Sequence, residues 1–91
     1  MAPRASQVAR QTPRFQAEGK ALGLRVRQLR LARKWTLEGA AEAANLDLKH
    51  LQKIEAGKLN VTLVTLVRLA EGFGVPMNSL FRRPRRPVRG A

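Results

Sequence analysis

The chain has no cysteine and a single histidine in 91 residues. Without cysteine there can be no disulfide framework and no thiolate metal site. His50 alone cannot build a histidine-based zinc cluster, and it leaves little for acid–base catalysis. Acidic residues are scarce, six Asp and Glu against eighteen Lys and Arg. Apolar runs last only a few residues, far below the roughly 20 needed to span a bilayer. The N-terminal region carries no apolar stretch of the kind a secretory signal needs. Neither a glycine-rich phosphate loop nor paired carboxylates in a plausible pocket are visible, so an enzyme is not expected and no cofactor or metal is implied.

What is present is positive charge and enough apolar residues, 44%, for one compact domain. The net charge of +12 is unevenly spread. Residues 82–91 hold five arginines and no acid, and residues 1–20 hold four basic residues against one acid. Residues 1–17 mix Pro, Ser, Gln and Arg without apolar period and are expected to form a disordered arm, Pro3 and Pro13 interrupting any helix there. Residues 82–91 are expected to be a second, Arg/Pro-rich tail, leaving a folded domain over residues 18–81. Basic arms of this kind suit a polyanion, nucleic acid foremost, with an anionic membrane surface as the main rival.

Between the arms, helical signals follow one another. Leu22, Val26 and Leu29 fall at i, i+4 and i+7, giving a first helix one apolar face. Thr36 predicts the cap of a second helix running to about Ala44, with Ala40, Ala41 and Ala44 inward. Asn45 suits the left-handed stop after it. Asp47 predicts the cap of a third helix with Leu51 and Ile54 inward and Gly57 at its end. Thr62 predicts a fourth, with Leu63, Leu66, Leu69, Ala70 and Phe73 as its apolar face and Gly74 as its stop. Met77 to Phe81 makes a last short helix, loosely capped by Asn78 or Ser79. No strand pattern competes, so the fold class is all-α with five helices.

The spacing of the second and third helices carries the functional reading. Two short helices joined by about four residues form a helix-turn-helix, whose second helix can enter a major groove roughly 12 Å wide. Small Ala41 suits the close crossing of the pair. The run Leu22-Gly23-Leu24-Arg25-Val26-Arg27-Gln28-Leu29-Arg30, the second-helix run Thr36 to Ala41 and the ending Ile54-Glu55-Ala56-Gly57-Lys58 resemble Cro/cI-type (XRE, lambda-repressor-like) domains. So do Thr62-Leu63, Leu66, Leu69-Ala70, Gly74-Val75 and Leu80-Phe81, and the resemblance spans about residues 20–81.

The resemblance implies roles residue by residue. Arg30 and Glu55 fall on positions that form a partly buried ion pair. Lys49 and Lys53 share the outward face of the third helix and fall on base-reading or phosphate-clamping positions. Gln52 faces outward with them, for adenine or a phosphate. Leu48 offers a thymine methyl apolar contact or is a packed turn residue. His50 touches the DNA backbone or is a half-buried helix residue, the latter being preferred. Thr36, Lys58 and Asn60 sit where relatives grip phosphates. Apart from the resemblance, Val64, outside the core stripe of the fourth helix, and Met77, Leu80 and Phe81 nearby are the expected dimer contacts, with some of them burying against the domain or all of them core as the alternative. Four departures stand out. Leu37 replaces a common glutamine, Gly39 lies inside a helix, Val61 replaces a frequent proline, and Ala40 replaces a usual leucine, with Trp35 as the candidate to fill that space.

The implied function is a sequence-specific DNA-binding transcriptional regulator of repressor or controller type. It would act as a homodimer that reads a pseudo-palindromic operator on double-stranded DNA with its third helix, in the cytoplasm as a bacterial or phage nucleoid-associated protein. The alternative is an adaptor that binds a protein partner through Leu37, Leu48 and the fourth helix, its basic arms on nucleic acid. Fragment selectivity in a gel-shift assay separates the two.

Overall fold

The computed structural model describes residues 12–58 and 60–82. They form α1 (Pro13–Ala32), α2 (Leu37–Ala43), α3 (Leu48–Glu55), α4 (Leu63–Phe73) and a closing 3₁₀ helix (Met77–Phe81). No strand occurs among the described residues. The five-helix expectation therefore holds with its last member wound more tightly. Residues 1–11 and 83–91, on which most of the arm expectations fall, lie outside the described residues.

α1 corrects the expected boundary at its start, because it begins inside the segment assigned to the N-terminal arm. Pro13 does not interrupt the helix. It occupies the first turn, where a missing N–H costs nothing and a fixed φ is already helical. Thr12 completes the start, its Oγ1 accepting from the Phe15 N–H at 3.1 Å.

The later termini follow residue chemistry closely. Thr36 Oγ1 accepts from the Gly39 N–H at 3.0 Å, and Thr62 Oγ1 from the Thr65 N–H at 3.3 Å. Asn45 (φ 55°), Gly57 (φ 72°) and Gly74 (φ 67°) take the left-handed turns that stop α2, α3 and α4. Lys34 does the same after α1 at φ 58°. Two cap assignments need correction. Asp47 holds the N-cap position of α3 but makes no side-chain capping bond. The last helix is entered through Pro76, not Asn78 or Ser79.

The core gathers Leu22, Val26 and Leu29 of α1, Ala40 and Ala41 of α2, Leu51 and Ile54 of α3, and Leu69, Ala70 and Phe73 of α4. Leu80 joins them at 0% exposure. Leu63, expected on the inner face of α4, is instead 69% exposed. It is the first residue of α4, whose inward side begins at Thr65 and Leu66 and continues through Leu69, Ala70 and Phe73. Trp35 packs against the core, but its stacking partner is Phe73, with ring centroids 5.6 Å apart.

Two glycines set how closely the helices approach. A Cβ on Gly23 would lie inside contact distance of the Ile54 carbonyl oxygen and 2.6 Å from that of Glu55. α1 and the end of α3 therefore meet backbone to backbone. A Cβ on Gly72 would lie 2.6 Å from Ala44 Cα, so α4 crosses the end of α2 in the same manner. Gly39 is less demanding: its added Cβ would be 3.3 Å from Thr36 Oγ1.

Candidate nucleic-acid interface

α3 has two opposed faces, and its sequence assigns them. Leu51 and Ile54 are 0% and 1% exposed and anchor the helix to the core. Lys49, Gln52 and Lys53 are exposed on the other side. α2 and α3 are joined by four residues, 44–47, and Ala41 is buried. Leu46 N–H donates to the Ala41 carbonyl at 2.8 Å, closing the turn without help from side chains. α3 is thus clamped from behind and presents two lysines and an amide to solvent. Lysine ammonium groups and glutamine amides are donors that suit guanine O6 and N7, adenine N7 or phosphate oxygens.

The remaining expected contacts lie within the helix-turn-helix or just after it. Lys58 and Asn60 are exposed just beyond α3. Thr36 is exposed at the start of α2, and its hydroxyl hydrogen stays available because the capping bond uses only the oxygen as acceptor. Leu48 is half-buried as the first residue of α3. His50 is half-buried too, and it lines a polar cleft with Glu42, Asn45, Asp47 and Arg68 rather than the lysine face.

Arg30 and Glu55 hold α1 to α3. Arg30 Nε and Nη2 donate to the two Glu55 carboxylate oxygens at 2.8 and 3.1 Å, a bidentate pair. Arg30 Nη1 also donates to the Trp35 carbonyl at 3.1 Å, so one guanidinium fixes three segments. The Arg30 and Glu55 side chains are only 12% and 9% exposed. The hydrogen bond to Glu55 raises the Arg30 pKa above its ordinary range, outweighing the opposing effect of burial.

The expected dimer residues divide between exposed and buried. Val64 and Phe81 are exposed, at 59% and 52%. Met77 is partly buried against the core. Leu80 is wholly buried and cannot be a dimer contact, which corrects that assignment. The 3₁₀ helix repeats every three residues, so Met77 and Leu80 share its inward side and Phe81 turns outward.

Two structural arginines escaped the sequence reading. Arg25 donates to the Ser79 carbonyl at 2.7 Å and to Ser79 Oγ at 2.9 Å, tying α1 to the last helix. Arg33 donates to the Leu29 carbonyl at 3.1 Å and to that of Phe73, its guanidinium lying over the Trp35 and Phe73 rings. The links to Ser79 and Phe73 join residues 40 or more apart in sequence, and nothing local announces them.

A family model described as a helix-turn-helix domain matches residues 21–80, about two thirds of the chain. The chain belongs to the helix-turn-helix domain family. Its α2, four-residue turn and α3 are the motif itself. Among solved structures, it is similar to the restriction-modification controller protein C.AhdI from Aeromonas hydrophila, with 32% identity and a TM-score of 0.69. That match covers 71% of this chain and 98% of the controller. It shares its fold with the hypothetical transcription factor NHTF from Neisseria, at TM-score 0.71 and 23% identity over 92% of this chain and 90% of that one. No curated protein sequence matches the chain. Among the described residues of this helix-turn-helix chain no helix is long and apolar enough to cross a membrane. Nor do they contain a group of three or more His, Asp or Glu placed to hold a metal ion.

Proposed function

We propose that the chain is a sequence-specific DNA-binding transcriptional regulator that reads a pseudo-palindromic operator with α3. The observation that carries this reading is the polar face of α3. Lys49, Gln52 and Lys53 stand exposed on a helix whose opposite face is locked into the core. The similarity to a restriction-modification controller supports a regulator of that general type. Thr36 at the start of α2, with Lys58 and Asn60 after α3, act as phosphate contacts that fix its register, while Leu48 offers an apolar contact at the start of α3.

The deciding experiment is selection of duplexes from a random pool by the full chain, with footprinting of what is selected. A defined sequence with two related half-sites is the expected result. Selection of no sequence would remove the reading and favour the adaptor alternative. Lys49→Ala should cost about 1–3 kcal/mol on the selected duplex and much less on a scrambled one, as expected of a side chain at a base edge. Equal weakening on both duplexes would make Lys49 a phosphate contact instead.

A palindromic site calls for a two-fold dimer with recognition helices about 34 Å apart. Of the four expected contacts, Val64 and Phe81 remain available for it, since both are apolar and more than half exposed. Val64→Asp with Phe81→Asp should leave the fold intact and convert a dimer to monomer in sedimentation equilibrium. A wild-type chain that stays monomeric at high concentration, free and on DNA, would reject this arrangement.

A further inference from the structure

α1 runs past the end of α3, and its arginines and lysines differ in how they are used. Arg25 and Arg30, and Arg33 just after the helix, are all committed to intramolecular bonds, with Ser79, Glu55 and Phe73 respectively. Lys20 and Arg27 are exposed and make no hydrogen bond or ion pair among the described residues. Both lie toward the same edge of α1. At 3.6 residues per turn they are about 20° apart round the helix and roughly 10 Å apart along it.

That edge is the one beside the recognition helix. Gly23, which meets the Ile54 and Glu55 carbonyls, lies about 40° from Arg27 and about 60° from Lys20 on the same wheel. Lys20 passes directly over the end of α3, since a Cβ on Gly57 would be 2.9 Å from Lys20 Cα and 3.1 Å from its Cγ. The residue after Gly57 is Lys58, itself exposed. Gln16 is the other exposed polar residue on this edge. Glu18, the one acid of α1, lies on the opposite flank, about 160° from Lys20.

We propose that Lys20 and Arg27 form a second phosphate-binding edge, on α1, that engages the DNA backbone beside the groove occupied by α3. The inference rests on the DNA reading given above and extends it to residues outside the two-helix motif. Each strand carries one phosphate per 3.4 Å of duplex axis, so a separation of roughly 10 Å spans about three phosphates when helix and duplex run alongside. Such an edge contributes affinity without sequence information.

The test is a salt titration of the full chain on the duplex it selects and on a scrambled duplex, read by fluorescence anisotropy. Lys20→Ala and Arg27→Ala should each flatten the log–log salt dependence by up to about 0.9 for every phosphate left unneutralised. The two effects should add, and affinity should fall by the same factor on both duplexes with the melting temperature unchanged. Arg14→Ala serves as the control, since it lies on the far flank of α1, about 140° from Arg27. Unchanged slopes for both edge variants, while Lys49→Ala still weakens binding to the selected duplex, would overturn the edge and leave the DNA reading standing. An equal effect of Arg14→Ala would also overturn it, because net charge alone would then explain the result. A chain that selects no duplex would overturn both.

Discussion

Arg30→Ala or Glu55→Ala should each destabilise the domain by about 3–5 kcal/mol, because each strands the other charge where water cannot reach it fully. For a domain of this size that is about 12 °C or more in melting temperature. The two variants should not be equal. Glu55→Ala leaves Arg30 with its bond to the Trp35 carbonyl. Arg30→Ala leaves a carboxylate on a side chain only 9% exposed and also removes the donor to that carbonyl, so it should be the worse of the two. Arg30→Lys should recover little, since an ammonium cannot make the parallel pair of bonds at 2.8 and 3.1 Å. Replacing both residues together, as Arg30→Met with Glu55→Leu, should recover much of the stability, because no charge is then left unpaired. Urea or thermal unfolding of the four variants measures this. Single variants that melt with the wild type would make the pair an ordinary surface contact, worth at most about 1 kcal/mol.

The reach of the sequence follows from the range over which each signal acts. Thr36 and Thr62 announce helix starts because a hydroxyl and an N–H three residues on are local partners. Asn45, Gly57 and Gly74 announce stops because a left-handed φ is a property of one residue. The inward pair Leu51 and Ile54, and so the outward trio Lys49, Gln52 and Lys53, follow from helical period alone. Pro13 is legible too, but it carries two meanings: a breaker inside a helix and a favoured residue in its first turn. Only the capping bond from Thr12 decides between them. The close approaches at Gly23 and Gly72, the Arg25–Ser79 link and the Arg33 bond to α4 depend on elements distant in sequence. Leu63 and Leu80 exchange their expected places for a related reason, because apolar character does not say whether a residue at the end of a helix still faces inward.

The division of α3 into a packing face and a proposed reading face predicts two kinds of variant that can be told apart. Leu51→Ala should cost about 2–5 kcal/mol, the transfer free energy of the deleted atoms plus the cavity beneath the helix, and Ile54→Ala about the same. Both residues are all but inaccessible, and the helix holding them has only eight residues. Its place in the domain therefore depends on those two anchors and on Glu55. Small domains have roughly 5–15 kcal/mol of stability in total, so either change removes a large share. DNA affinity should then fall because fewer molecules are folded, and it should recover on cooling within the range where the variant refolds. Lys49→Ala, Gln52→Ala and Lys53→Ala should instead leave stability within about 0.5 kcal/mol, as surface changes usually do. Their weaker binding should persist at every temperature at which the protein is folded. Circular dichroism melts paired with binding isotherms at two temperatures make the distinction. Leu51→Ala with an unchanged melting temperature, or Lys49→Ala with weaker binding explained wholly by partial unfolding, would show that the two faces of α3 are not separable.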